Sequence, residues 1–361
     1  MALTVTNKTT SVWGDRMVLM CDVAFDSSYA FGGESFNYSV MGFDHVDRVI
    51  IEPVQGYHFA YDYTNKTIKV LHNAPPIVVE EQQTIASNAI TLRYPPAYIM
   101  AVAQSATNVK LTTSGATVGA NECQPTAVFT WGAQGGLTFH SGLSGVVYVS
   151  YVTQAWKEVW DNLVQEEAVT PESHIGTLTY DAIAIQAINA SAGGTTTNSC
   201  LMIDKDDTPA TTECSVDFSD SAAVTLTFAT ADAVTAAVCT YIKLPSSGFL
   251  KDNWVEEEAM TATSNVCTPA YPILLWGYSG QLLENAAVTG RIINIGGSAG
   301  TDEGYINFND PYTKITQDAV TTGTAAYVKG RRGDIPTVPI ECHTGLSLSD
   351  LSTVKVTVLG W

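Results

Sequence analysis

The stretch with the clearest chemical potential is Gly296-Gly297-Ser298-Ala299-Gly300, a literal G-x-S-x-G after the strand-like Arg291 to Ile295. A serine on such an elbow attacks acyl carbons, but it needs a helix directly behind it to aim the hydroxyl and supply an oxyanion hole. Thr301 to Phe308 reads as turn and strand, so the glycines predict a tight turn instead. Asp204-Lys205-Asp206-Asp207 resembles the opening of a calcium loop, in which a hard cation gathers several carboxylates from one turn. Pro209 stands where that loop needs glycine and Ser215 where it needs a bidentate glutamate, which excludes an EF-hand and leaves a looser calcium site open. The histidines at 45, 58, 72, 140, 174 and 343 lack the close spacing of zinc ligands. The seven cysteines contain no C-x-x-C pair and are read as buried thiols. Arg332-Gly333-Asp334 reads as a turn before Pro336, and the sequons at Asn7, Asn37, Asn65 and Asn189 carry no weight without a signal segment. No glycine-rich phosphate loop opens a helix. The expectation is a chain with no catalytic residues, no metal and no cofactor.

Paired glutamates can work as general acid and base when they flank a substrate. Here they belong to a longer pattern. Glu80 to Tyr94 reads EExxTxxS[NH]xxTxxY, and Glu166 to Tyr180 and Glu257 to Tyr271 repeat it. Seven positions agree in three copies spaced by 86 and then 91 residues, which is the size of a small domain and too long for a solenoid period. Further matches follow the same offsets: Ile99, Ala101, Ser105 and Ala106 with Ile185, Ala187, Ser191 and Ala192, then Glu122-Cys123 with Glu213-Cys214. A fainter fourth echo starts at Pro339-Ile340-Glu341. Recurrence in every unit makes the glutamates structural or junction residues, and makes Cys123 and Cys214 core positions.

The elements that carry these residues are short. Met17–Phe25, Val46–Val54, Tyr57–Tyr61, Ile68–Leu71, Tyr98–Ala103, Ala127–Trp131 and Gly145–Val152 are β-rich or alternating, with Ser, Thr, Gly and Asn clusters between them. The second unit has strands predicted at 177–188, 222–229 and 236–244, and the third near 273–278, 288–295 and 305–308. The alternating Val354, Val356 and Val358 predict a terminal strand paired in a sheet. Gln154–Val164 places Trp156, Val159, Trp160, Leu163 and Val164 on one helical face, to be packed on its own sheet or on a neighbouring subunit, and a reduced counterpart is expected at 249–255. The fold expected is all-β: tandem sandwich or jelly-roll-like units, each with one short amphipathic helix.

The chain has 361 residues, 45% apolar and 15% charged, enough for several cores. A net charge of −19 opposes docking on nucleic acid or an anionic membrane, so neither is an expected partner. No apolar run reaches the roughly 18 residues of a membrane span, and residues 1–20 lack the pattern of a signal segment.

Val12-Trp13-Gly14-Asp15-Arg16, Asp26 to Glu34 (DSSYAFGGE), Met41-Gly42-Phe43 and Gly56 to Asp62 (GYHFAYD) resemble small virion proteins of tailed bacteriophages, and Leu348–Ser352 with Val354–Gly360 resembles their closing strand. That family is classed as capsid decoration or cement proteins. The resemblance implies a virion protein, made in the host cytoplasm, on the outer capsid surface, binding the major capsid protein and stabilising capsomer contacts. It covers about 80 residues at the front and 20 at the back. Two chain paths fit it: beads, with the front domain closed by Tyr98–Ala103, or an insertion, with the tail as closing strand.

The domains expected are 1–90 (with or without 337–361), 91–170, 171–261 and 262–361. The contact residues expected, toward the capsid or another subunit, are Tyr29, Phe31, Gly32 and Gly33, where aromatics ride on an adaptable glycine loop, with Trp156 and Trp160 on the helix. A homo-oligomer is expected, a trimer foremost, because shells offer symmetric sites. The alternative is a tail or head-fibre component binding host carbohydrate through Trp131 or Trp276; a virion-borne polysaccharide hydrolase and a bacterial adhesion domain are the remaining readings.

Overall fold

The computed structural model describes residues 3–104, 107–192, 195–205, 207–219, 223–278, 281–284, 289–292, 303–307, 313–317 and 322–361. It is all-β, with several antiparallel sheets and, among the described residues, two short α-helices. The chain divides into two compact units. Unit 1 comprises Met1–Pro75, Thr130–Gln134 and Val338–Trp361, and unit 2 comprises Pro76–Phe129 and Gly135–Thr337.

In unit 1 one sheet has the order Thr4–Trp13, Arg16–Ala24, Val354–Gly360, Val46–Ile51, antiparallel throughout. The last strand of the chain is therefore central, with Leu19 opposite Val358 on one side and Val49 opposite Val358 on the other. Its alternation explains the insertion: Val354, Val356 and Val358 are buried while Lys355 stays exposed. A second sheet places Tyr57–Asp62 on one edge of Thr67–His72, and Glu34–Ser35 and Ile340–Glu341 on the other. Leu19, Val23, Phe36, Ile68, Val70 and Val356 fill the core of this unit. Of the two chain paths, the strand pairing is that of the insertion.

Unit 2 holds three repeats. In the first, one sheet runs Thr107–Asn108, Pro96–Gln104, Gly145–Thr153, Ile77–Ile85 and the other Lys110–Leu111, Glu122–Pro125, Gly136–Phe139, Ala89–Thr91. The second repeats that order with Thr195–Ser199, Ala182–Ala192, Val234–Lys243, Leu163–Val169 and Leu201–Asp204, Glu213–Asp217, Thr225–Phe228, Ile175–Thr177. In the third, the described strands from Trp254–Thr261 to Thr322–Lys329 join in one sheet, and Ile273–Trp276 pairs with Thr322–Lys329. Among the described residues, each repeat contains one parallel pair at the same place, Lys110–Leu111 with Glu122–Pro125, Leu201–Asp204 with Glu213–Asp217, and Thr289–Ile292 with Glu303–Asn307.

These pairings correct the expected boundaries. The first strand of each repeat is the one that carries the glutamates, Ile77–Ile85, Leu163–Val169 and Trp254–Thr261, because it pairs with the last long strand of its own repeat. The front unit thus ends at Pro75, not at residue 90, and the third repeat ends before the tail. The helix is also shorter than its apolar spacing predicts. It spans Lys157–Asp161, and Leu163 and Val164 instead begin a strand opposite Ile242 and Tyr241. Its counterpart is Phe249–Asp252, after which Trp254 starts the next strand. From Leu163 on, the backbone groups pair with the neighbouring strand instead of within a further helical turn. No strand forms at Ala127–Trp131. All seven cysteines are buried and free.

The three repeats share a core. Ala97, Tyr98, Val152, Trp156 and Val159 from the first meet Ile183, Ala184, Ile242 and Leu250 from the second and Leu274, Leu275, Val328 and Ile335 from the third. Each pair of repeats touches. The Ile99 amide donates to Gln186 Oε1 at 2.9 Å and, one repeat on, the Ile185 amide donates to the Gly277 carbonyl at 2.8 Å. The Tyr98 hydroxyl reaches the Ile185 carbonyl at 3.0 Å and the Trp276 carbonyl at 3.3 Å, which closes the circle.

Candidate functional site

The template that recurs in the sequence has a physical purpose at each position. Its S[NH] dipeptide has φ of 51° and 61° at Ser87-Asn88, 51° and 70° at Ser173-His174, and 52° and 64° at Ser264-Asn265. Two successive left-handed residues make the tight hairpin turn whose twist matches the flanking strands, and reciprocal bonds close it between Ala86 and Ala89, Glu172 and Ile175, and Thr263 and Val266. The second glutamate of each pair is a lock. Glu81 accepts from the Tyr151 hydroxyl at 2.6 Å and the Arg93 amide at 2.9 Å. Glu167 accepts from Tyr241 at 2.5 Å and the Thr179 amide at 2.7 Å, and Glu258 from Tyr327 and from the Ala270 amide at 2.8 Å. Burial and the facing carboxylate hold all three phenols well above their ordinary pKa.

The first glutamate turns toward the preceding repeat. Glu166, at φ 57°, accepts from the Ser114 hydroxyl, and Glu257 pairs with Lys205 Nζ at 2.7 Å. Ser114 and Lys205 are themselves 91 residues apart, so the same junction is made twice with different donors. A further link runs between the helices: Glu158 Oε1 accepts from the Leu250 amide at 3.0 Å, and burial raises the pKa of this carboxyl. These carboxylates are committed to backbone amides, phenols and cations of the scaffold, which is the chemistry of holding repeats together.

At the front loop the structure separates residues that the sequence grouped. Tyr29 is 1% exposed, so it is a core pin and not a contact. Its hydroxyl donates to Glu341 Oε1 at 2.7 Å and accepts from the Val70 amide at 3.1 Å. Gly32, at φ 97°, donates its amide to the same oxygen at 2.6 Å. Gly33, at φ 98°, leaves no space for a side chain, since a Cβ would lie 2.8 Å from the Ile68 carbonyl. The glycines serve close packing. Phe31 alone of the four offers an accessible side chain, 42% exposed.

Trp156 is fully buried in the shared core, edge-on to Phe249 at 5.9 Å, and Trp160 is partly buried against it. The helix face is consumed within its own chain, which removes Trp156 as a subunit contact. Trp276 is likewise buried and Trp131 partly so, leaving poor platforms for sugar. Asn189 is buried and cannot carry a glycan. Arg332–Asp334 forms a short 3-10 turn. Gly296–Gly300 and Asp206 lie outside the described residues; among those described, no cluster of three His, Cys, Asp or Glu could hold a metal. No described helix is long and apolar enough to cross a membrane.

Two exposed features escape sequence reasoning. Trp13, 75% exposed, tops the hairpin that turns at Gly14, and next to it Arg16 pairs with Asp47 and lies 5.0 Å over the Trp361 ring. The only signal was an apolar pair, Val12-Trp13, placed at a turn. The second feature is the last residue of the template: Tyr94, Tyr180 and Tyr271, with a cation over each ring, Arg93 at 5.2 Å, Lys243 at 5.2 Å and Lys329 at 4.5 Å. No protein-family model, curated protein or solved structure matches this chain.

Proposed function

We propose that this chain is a structural protein of a tailed-bacteriophage virion that decorates the outer capsid shell, binds the major capsid protein and braces neighbouring capsomers. One observation carries the reading. The sequence stretches that resemble decoration proteins, at the two ends of the chain, are the stretches that build unit 1, with the tail strand Val354–Gly360 between Arg16–Ala24 and Val46–Ile51. A family-like domain with a three-repeat insertion accounts for a resemblance confined to both termini. The role of unit 2 in this reading is presentation and bracing, in keeping with carboxylates that are committed to its own scaffold. No enzymatic step is assigned.

The test is copy number in purified particles of the parent virus, by quantitative mass spectrometry. Hundreds of copies support a shell component. A few dozen or fewer move the protein to tail or fibre, and absence removes it from the virion.

A further inference from the structure

Unit 2 solves within one chain the problem that a trimer solves with three. The Ile99–Gln186 contact recurs as Ile185–Gly277, and Tyr98 bridges back to the third repeat. The Thr113 amide of the first repeat donates to Asn189 of the second, Leu201–Asp204 of the second meets Gln281–Glu284 of the third, and Thr289–Ile292 of the third meets Pro96–Gln104 of the first, so the head-to-tail contacts close after three steps into a ring with threefold pseudosymmetry. Three equivalent positions therefore exist within one copy of the chain.

The same ring repeats one surface feature. Each of Tyr94, Tyr180 and Tyr271 stands two residues before an inner strand, Pro96–Gln104, Ala182–Ala192 or Ile273–Trp276, so all three lie at the same end of the ring. Tyr94 is half-buried against the core of the first repeat, but core demand does not explain the retention of the other two. Tyr180 and Tyr271 are 48% and 49% exposed, while equivalent buried positions have diverged, Ala97 to Ile183 and Leu274, and Tyr98 to Ala184 and Leu275. The cations are retained too, by different means. Lys243 and Lys329 occupy equivalent positions, the first repeat has Thr153 there, and Arg93 supplies the charge instead. In a chain with 17 basic against 36 acidic residues, three cations set on three equivalent aromatic rings mark a surface complementary to negative charge.

We propose that unit 2 is the single-chain counterpart of a homotrimer, and that it seats one copy at a time on a threefold-symmetric protein surface bearing carboxylates, through the pairs Tyr94–Arg93, Tyr180–Lys243 and Tyr271–Lys329. The partner's identity as a viral shell rests on the function proposed above. Tyrosine and arginine are favoured anchors, ring-bound cations add charge attraction, and three linked weak contacts give avidity that none provides alone. Only a partner with three equivalent points engages all of them.

The experiment uses the full chain and particles of the parent virus freed of it. Sedimentation equilibrium is expected to give 38.5 kDa, one chain; a stable trimer overturns the single-copy ring. Wild type is expected to bind at up to one copy per threefold position. Y180A is expected to weaken binding about tenfold, and both R93Q/K243Q/K329Q and Y94A/Y180A/Y271A to abolish it, with the thermal midpoint of the charge variant unchanged. Wild-type-like binding by the charge triple variant overturns the contact surface while leaving the virion reading intact. Failure of wild type to bind at all overturns the virion reading, and this assignment with it.

Discussion

Tyr151 and Glu81 lie 70 residues apart in the chain and meet through a 2.6 Å hydrogen bond that recurs, with other residues, in each repeat of unit 2. The carboxylate also holds a backbone amide 12 residues ahead of it, so one side chain fixes the first strand, the loop after the hairpin and the last long strand.

Replacing the phenol tests that lock. Y151F keeps the ring in the core and removes the donor, leaving Glu81 with the Arg93 amide and the Gln83 side chain and taking from the Tyr94 amide its phenolic acceptor. A hydrogen bond to a charged group contributes about 1.5–3 kcal/mol, so urea unfolding is expected to show a loss near the lower end of that range. Y241F and Y327F are expected to behave alike. No loss in any of the three would reduce the lock to a by-product of packing.

The phenols also set a limit on the alkaline side. Tyr29, Tyr151, Tyr241 and Tyr327 have folded-state pKa values above the unfolded value of 10.0, through burial first and the facing glutamate second. The folded state therefore holds protons that the unfolded state releases, so stability is full below pH 10 and falls as pH rises above it. Thermal midpoints measured from pH 8 to 11.5 are expected to be level and then to decline. The triple variant Y151F/Y241F/Y327F should start less stable and decline less steeply.

Unit 1 depends on residues at the far end of the chain. Deleting 338–361 removes the strand between Arg16–Ala24 and Val46–Ile51 and takes Glu341 from Tyr29. Hydrogen exchange is expected to show loss of protection at 17–23 and 46–51 and its retention at 98–103 and 147–152. Full retention in the first two segments would mean that the tail is an accessory strand.

Tyr29 and Phe31 stand two residues apart and are expected to respond oppositely. Y29A empties a buried aromatic site and takes the phenol from Glu341, which keeps the Gly32 amide, a loss of about 3–5 kcal/mol. F31A changes a partly exposed ring and is expected to cost under about 1 kcal/mol. Chemical unfolding of both variants checks this, and particle binding by F31A reports whether the loop takes part in docking.

The sequence by itself determined what depends on local pattern. Alternating valines gave the terminal strand, the spacing of Glu, Ser-Asn and Tyr gave the three repeats, and the wide scatter of cysteines matched seven buried thiols. It also marked the glutamates as scaffold residues, since a reactive pair has no reason to recur in every unit. Three features were left to the tertiary structure. The tail strand could pair anywhere with an open edge, and only the assembled unit places it between two front strands. Trp156 and Trp160 have helical spacing whether they face a subunit or their own chain, and the meeting of three repeats decided for the chain. Tyr29 and Phe31 are equivalent letters on a glycine loop, and a buried carboxylate 312 residues from Tyr29 turned one of them inward. Burial is a property of what arrives from elsewhere in the chain, and no local spacing encodes that.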